Sequence, residues 1–152
     1  MKRMVFVCAV VALALSAAAT AAGSAHFIKS QTSASLDGNN LVCSFKEAGL
    51  SAGSTETITC TADASATYEC VNNGSKHPQA SNKETVGGPV SGSDTFTVDQ
   101  NGNITGSVTA TPPGPGDFSC PSGQTLVLTS VSYTNVVLTD STSGASISLG
   151  NP

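Results

Sequence analysis

The sequence contains no tryptophan and one arginine, and only 11% of its residues are charged. Beyond residue 25 it has four lysines and no arginine against ten acidic residues, a formal net charge of 4 − 10 = −6. A chain with so few cations has no basic surface for nucleic acid or anionic lipid. Strong helix formers are scarce, whereas Ser, Thr, Gly and Asn are abundant, which disfavours a helical domain.

The one long hydrophobic run lies at the start of the chain. Two basic residues precede an uncharged run rich in Val, Ala and Leu, and small residues close the segment. This three-part order predicts a signal peptide over residues 1–25, with cleavage after Ala21 or after Ala25. No second run approaches the length of a membrane span. We therefore expect a secreted, extracellular protein that does not contact the membrane after cleavage.

Four cysteines remain after the signal segment, and they are Cys43, Cys60, Cys70 and Cys120. An even number in an exported chain implies two disulfides, with three possible pairings. Cys43 and Cys60 alternate with apolar residues on two strands, and a hairpin folded about residues 49–54 would set them opposite each other. Cys70 then pairs with Cys120. A zinc site is disfavoured because no two of these cysteines have the close spacing that zinc sites use.

Period-two alternation dominates from His26 to about Leu138 and predicts strands. Residues 57–70 have seven small or apolar side chains at alternate positions, and these would all lie on one face of a strand. A hairpin over 94–110 is expected to turn at Gln100–Gly102 and to set Val98 opposite Ile104. Residues 71–90 are polar and hold several Gly and Pro, so we expect a long surface loop there.

Residues 124–138 form the most hydrophobic stretch of the mature chain. The phase of their alternation changes near Ser130 and again near Asn135, which indicates bulges. The pattern as a whole predicts an all-β, antiparallel, immunoglobulin-like β-sandwich of seven to eight strands over residues 26–140. A small β-barrel is the alternative fold. Residues 141–152 offer little to bury and are expected to form a polar tail.

A resemblance to a known group is carried by five short segments, which are Lys46–Leu50, Ala66–Cys70, Asn82–Val86, Phe118–Gln124 and Val131–Val136. These segments resemble a group of small exported proteins of actinobacteria. That group has no assigned activity, so the resemblance implies secretion and a disulfide-stapled β-sandwich. It also implies that the bridge between Cys70 and Cys120 is common to the group and that the Cys43–Cys60 pair is an addition in this sequence.

Two histidines, His26 and His77, are the candidate metal ligands. Cleavage after Ala25 would make His26 the first residue, and its α-amino and ring nitrogens would then chelate Cu(II) together. An imidazole from His77 would complete a set of three nitrogens, which suits Cu(II). The competing interpretation is that His26 lies by chance near the cleavage site and that His77 is a solvated loop residue.

Carboxylates and turn motifs give weaker indications of chemistry. Glu47 and Glu56 would face each other across the predicted Cys43–Cys60 hairpin, but acidic residues on strand faces are usually solvated rather than paired for glycoside hydrolysis. Asp99–Asn103 has the composition of a calcium loop but not its spacing, so it predicts a turn.

The sequence therefore favours a secreted, non-catalytic β-sandwich module with a structural or binding role. Its partner would be a protein or a cell-surface polymer, and no cofactor is required. A copper-binding protein that uses His26 at its amino terminus is the alternative, and a small secreted hydrolase or toxin is the second alternative.

Overall fold

The computed structural model describes residues 24–72 and 82–152, and these residues form eight strands and one short 3-10 helix at Lys29–Gln31. The predicted signal segment, apart from Ser24 and Ala25, lies outside the described residues. The strands are β1 (His26–Phe27), β2 (Ser33–Asp37), β3 (Asn40–Ala48), β4 (Thr55–Asn72), β5 (Lys83–Thr97), β6 (Asn103–Ala110), β7 (Gln124–Asp140) and β8 (Ser146–Gly150).

Two antiparallel sheets of four strands pack as a sandwich. In the first sheet, β3 pairs with β1 and β2 along one side and with β6 along the other. The second sheet has the strand order β5-β4-β7-β8. The predicted all-β sandwich is confirmed, whereas the strands that are described do not close into the alternative barrel.

The core lies between the two sheets and follows the period-two pattern. Buried side chains alternate with half-buried or exposed ones along β3 and β4, because successive side chains of a strand point to opposite faces. Tyr68 and Tyr133 face inward as expected, and each hydroxyl donates to a backbone carbonyl, of Pro113 and Asn39 respectively, at 2.7 Å. Each tyrosine therefore buries its ring and still satisfies its polar end.

Both predicted disulfides are present, but the expected hairpin around the first one is wrong. Cys43 on β3 and Cys60 on β4 are bonded to each other, and Cys70 is bonded to Cys120. However, β3 and β4 belong to different sheets. Residues 49–54 carry the chain from one sheet to the other, so the Cys43–Cys60 bridge crosses the core instead of joining neighbouring strands.

The hairpin expected over residues 94–110 forms only at its turn. Gly102 has a φ of 76°, and the Asp99 amide donates to the Asn103 carbonyl at 2.9 Å, as the predicted three-residue turn requires. Beyond the turn, β5 pairs with β4 and β6 pairs with β3, so Val98 is not paired with Ile104. The predicted pairing was wrong because apolar and polar residues alternate with the same period in two strands of packed sheets as in two paired strands of a hairpin. The alternation therefore does not distinguish the two arrangements.

The loop predicted over residues 71–90 is wrong at both of its ends, where the structure has strands. Val71 and Asn72 end β4, and β5 begins at Lys83 and continues through Pro89. Glycine and proline did not prevent a strand here because β5 is an edge strand, in which a missing backbone donor is tolerated. Residues 73–81 lie outside the described part of the chain.

The irregularities expected in the last long strand are confirmed. The pairing of β7 with β4 shifts register between Thr61 and Asp63 and between Thr67 and Tyr68, opposite the neighbourhoods of Asn135 and Ser130. Within the described part of the chain, Asn135 is also the one non-glycine residue with a positive φ, at 54°. Residues 141–152, expected as a polar tail, include β8, which pairs with the end of β7.

Candidate functional site

Three carboxyl side chains meet in the interior at one end of the sandwich, and we call Glu47, Glu56 and Asp140 the acidic cluster. Glu47 and Asp140 have no exposed surface, and Glu56 is 4% exposed. They come from β3, β4 and β7, and therefore from both sheets. Acidic residues are almost never fully buried without a partner, so this arrangement requires an explanation.

The local sequence places these carboxyls inside the core. Glu47 occupies the next inward position after Phe45, Glu56 the one before Ile58, and Asp140 the one after Leu138. Each acid thus continues the alternation of an apolar strand face by one further step. This signal was present in the sequence, but we expected Glu47 and Glu56 to be solvated, and that expectation is wrong.

Each carboxyl of the acidic cluster has one hydrogen-bonded oxygen and one oxygen without a partner. Ser143 donates to Glu47 Oε1 at 3.1 Å, Ser54 donates to Glu56 Oε1 at 2.5 Å, and the Thr142 amide donates to Asp140 Oδ1 at 2.8 Å. Glu47 Oε2, Glu56 Oε2 and Asp140 Oδ2 are buried and have no hydrogen-bond partner. The cluster therefore retains three acceptor atoms for which the described protein supplies no donor.

The electrostatic environment of Glu47 is negative. The pKa of Glu47 is raised from 4.5 to about 7, chiefly by burial and then by the charges of Asp140 and Glu56, while the Ser143 hydrogen bond partly offsets these effects. Desolvation and like charges both disfavour the ionised form. Glu47 therefore holds its proton up to nearly neutral pH.

A surface pocket of about 560 Å³ lies beside the acidic cluster. Glu56 is the one ionisable side chain among the described residues that line it, and its neighbours in the wall include the hydroxyls of Ser51, Thr142 and Ser143. Ala25 also lines the pocket, so the last residue of the predicted signal segment forms part of this wall. The pocket wall thus combines one largely buried acidic residue with several neutral polar residues.

The loop between β7 and β8 fixes one wall of the pocket. The Gly144 amide donates to the Asp140 carbonyl and the Asp140 amide donates to the Ala145 carbonyl, both at 2.9 Å. Gly144 has a φ of 84°, which a residue with a side chain rarely adopts. These bonds close a tight loop that holds Thr142 and Ser143 against the acidic cluster.

The two predicted copper ligands are not brought together by anything described. His26 lies exposed on β1, and its Nδ1 donates to the Ser24 carbonyl at 2.7 Å. His77 lies outside the described residues. Within 24–72 and 82–152, no group of three or more His, Cys, Asp or Glu side chains is placed to hold a metal ion. Copper binding stays a prediction.

The outer face of the second sheet carries rows of hydroxyl groups. Thr59 and Ser93 on β4 and β5 are hydrogen-bonded through their side-chain oxygens at 3.0 Å, and Thr67 and Thr85 repeat this contact at the same distance. Thr129 on β7 donates to the Thr67 carbonyl at 3.1 Å. Cross-strand hydroxyl pairs hold these side chains in fixed positions, so we call Thr59, Thr67, Thr85, Ser93 and Thr129 the hydroxyl face.

Comparison with known proteins adds no assignment to these features. No protein-family model, curated protein or solved structure matches the chain. None of the described residues forms a helix long and apolar enough to cross a membrane. The two disulfides place the protein in an oxidising compartment, since such bonds do not persist in a reducing cytosol.

Proposed function

We propose that this protein is an exported, non-catalytic β-sandwich module with a structural or binding role at the cell surface. The observation that carries the proposal is the Cys43–Cys60 bridge, which joins the two sheets through the core with both cysteines fully buried. A bridge in that position stabilises the folded domain itself, and it persists where thiols are oxidised. The signal segment predicted over residues 1–25 agrees with export.

The binding role is assigned to the hydroxyl face. Its serine and threonine side chains are held by cross-strand hydrogen bonds, so a partner finds donors and acceptors that have already lost their rotamer freedom. The partner proposed is a protein or a polymer of the cell surface. Neither needs a charged surface for this contact, which fits a chain with few cations.

Export and oxidation are tested together by mass spectrometry of the protein recovered from the culture medium under non-reducing conditions. We expect a chain that begins at Ala22 or His26 and weighs four hydrogens less than its fully reduced form. A protein retained in the cytosol, or one with free thiols at Cys43 and Cys60, would contradict the proposal.

Binding through the hydroxyl face is tested by retention of labelled protein on washed cells of the source organism. Thr59→Lys and Thr67→Lys place a bulky charge on this face, and retention should fall. Thr105→Lys is the matched control, because Thr105 is exposed on β6 in the other sheet. Equal retention of all three variants would exclude this face as the contact surface.

A small secreted hydrolase is a second candidate, and one contact favours it. Ser143 lines the pocket and donates to Glu47, whose pKa of about 7 suits a group that accepts a proton at neutral pH. In this candidate the Ser143 oxygen attacks an ester carbonyl while its proton passes to the ionised Glu47. The ester C–O bond then breaks, the alcohol leaves with the proton from Glu47, and water hydrolyses the acyl-serine to release the acid and restore Ser143. Turnover of a p-nitrophenyl ester that is lost in Ser143→Ala but kept in Ser141→Ala would support it, and turnover equal in both would exclude it.

A further inference from the structure

The β7–β8 loop, residues 141–145, covers the acidic cluster from the outside. Four of its five residues are exposed, and residues 142–145 line the pocket. On the inner side of the loop, Ser143 donates to Glu47 Oε1 at 3.1 Å and the Thr142 amide donates to Asp140 Oδ1 at 2.8 Å. The loop therefore lies between the pocket and two carboxyl groups that have no exposed surface.

Few interactions hold this loop against the sandwich. Ser141 donates to the Thr57 carbonyl of β4 through its amide at 3.0 Å and through its hydroxyl at 3.2 Å. The Thr57 amide donates in turn to Thr142 Oγ1 at 3.3 Å. Among the described residues, the hydrogen bond to Glu47 is the one polar link of the loop to the first sheet, and Ala145 is the one loop residue that packs against the core. A segment with exposed hydrogen bonds and so little apolar packing opens locally at low cost.

Ionisation of Glu47 favours the open form of this loop. With the loop closed, Glu47 has no exposed surface and its Oε2 has no hydrogen-bond partner. Burial is the largest of the causes that raise its pKa from 4.5 to about 7, and it outweighs the Ser143 hydrogen bond, which favours the ionised form. Water that enters past an open loop hydrates this carboxylate and removes that cause. By linkage, the ratio of open to closed loop rises as the pH rises from 4.5 to about 7.

The charged groups around Glu47 act in the same direction. Glu56 acts on it from β4 and Asp140 from β7, and both charges oppose its ionisation inside the sandwich. The residues paired with Glu47 or Glu56 on β1, β5 and β6 do not titrate, and they are Phe27, Phe96 and Ile104. The other titratable residues of β1, β3 and the 3-10 helix are exposed or lie on the outer face, and they are His26, Lys29 and Lys46. The β7–β8 loop, β6 and β8 contain no titratable residue. Within the described residues, no cation therefore offsets the charge of Glu47.

We propose that the β7–β8 loop is a pH-dependent lid, which is closed over the acidic cluster while Glu47 is protonated and opens when Glu47 is ionised and hydrated. Opening exposes the cluster to solvent and removes one wall of the pocket, so this end of the sandwich presents carboxylates at neutral pH that it conceals at acid pH. The lid is independent of the binding proposed for the hydroxyl face, because that face lies on the outside of the second sheet. Export, binding and opening are read from different measurements.

The test is hydrogen exchange of the ¹⁵N-labelled protein, expressed for each amide as protection relative to an unstructured peptide at the same pH. The Ser141 and Thr57 amides report the lid, because their hydrogen bonds join the loop to β4. Their protection should fall by at least about tenfold between about pH 5 and about pH 7.5 and should level off at higher pH. Protection that does not change with pH would overturn the proposal.

The most protected amides of β4 supply the reference for unfolding of the whole domain. The lid amides should be less protected than these at every pH, because the loop opens while the sheets stay packed. Lid amides as protected as the reference amides would show that the loop opens only when the domain unfolds, and that result would also overturn the proposal.

Glu47→Gln keeps the shape of the protonated side chain and cannot ionise, so the protection of the Ser141 and Thr57 amides should no longer depend on pH. Glu84→Gln is the control, because it removes one exposed carboxylate on β5 and should keep the original dependence. A pH dependence that is unchanged in Glu47→Gln would assign the opening to another group and refute the lid.

A second variant covers the case in which Glu47→Gln fails to fold. Ser143→Ala, at an exposed position, removes the hydrogen bond that joins the loop to Glu47. A bond to an ionised carboxylate is about twice as strong as a neutral one, so the protection of the Ser141 amide should fall more at about pH 8 than at about pH 5. Ser148→Ala, at an exposed position on β8, should leave the protection unchanged at both pH values. An equal loss at the two pH values in Ser143→Ala would contradict a lid controlled by Glu47.

Discussion

Glu47 and Asp140 belong to opposite sheets, yet the charge of Asp140 acts on the Glu47 carboxyl inside the sandwich and raises its pKa. Each has one oxygen bonded to the β7–β8 loop, through Ser143 or the Thr142 amide, and one buried oxygen without a donor. A proton held by the pair would supply the missing donor and remove one negative charge from the core. The protonation of Glu47 is therefore linked to the packing of the two sheets.

The first prediction concerns stability against pH. The pKa of Glu47 is raised from 4.5 to about 7, so between these values the folded state binds more protons than the unfolded chain. The free energy of unfolding should fall as pH rises from about 4.5 to 7, by about 3 kcal/mol from this group, and level off above 7. Urea unfolding at a series of pH values measures this slope.

Glu47→Gln is the matched variant for the pH series. Glutamine mimics the protonated side chain and does not titrate, so the slope between pH 4.5 and 7 should flatten and the variant should exceed the unmodified protein in stability at alkaline pH. Glu84→Gln, on an exposed strand, should keep the original slope. A Glu47→Gln variant with an unchanged slope would show that other groups cause the dependence.

The second prediction concerns the order in which the disulfides are reduced. Cys43 and Cys60 have no exposed surface, whereas Cys120 is partly exposed in the connector before β7. Since reduction requires a thiolate to reach a sulfur, a short exposure to dithiothreitol should open Cys70–Cys120 first. Alkylation followed by mass mapping identifies the opened bridge. Early labelling of Cys43 or Cys60 would contradict the buried position of their bridge.

The third prediction concerns the contribution of each bridge to stability. The Cys43–Cys60 bridge spans 17 residues and the Cys70–Cys120 bridge spans 50. Loop-closure entropy predicts losses of about 3 and about 4 kcal/mol when the respective cysteine pair is replaced by alanine. Denaturant unfolding of the two double variants tests both values. A larger loss of unfolding free energy for the shorter bridge would mean that its burial in the core affects stability more than the length of the loop it closes.

The fold class, both cysteine pairs and the bulges near Ser130 and Asn135 followed from alternation and residue type. The pairing of the strands did not follow from the sequence, because residues that face inward from two packed sheets alternate with the same period as residues that are paired in a hairpin. The Cys43–Cys60 contact was therefore predicted correctly but with the wrong strand pairing. The acidic cluster was missed because Glu47 was assigned by its charge to a solvated face, although it continues the inward pattern of Phe45.

The fourth prediction tests the copper alternative. If the mature chain begins at His26 and uses His77, one equivalent of Cu(II) should remain bound in native mass spectrometry. His77→Ala should release it, and so should a chain that begins at Ala22, because the α-amino group then no longer belongs to the histidine. Copper lost as readily as from an unrelated peptide would leave His26 without a metal role.

The fifth prediction concerns a close contact between β5 of one sheet and β6 of the other. A Cβ atom added to Gly92 on β5 would collide with the Thr109 carbonyl on β6, a backbone atom that cannot rotate away. Gly92→Ala should therefore lower the free energy of unfolding by about 2 kcal/mol or more. Gly88→Ala, on the same strand with no heavy atom within 4 Å of the new methyl group, should change it by less than about 1 kcal/mol. Equal losses in the two variants would attribute the cost to the β5 backbone instead of to its contact with β6.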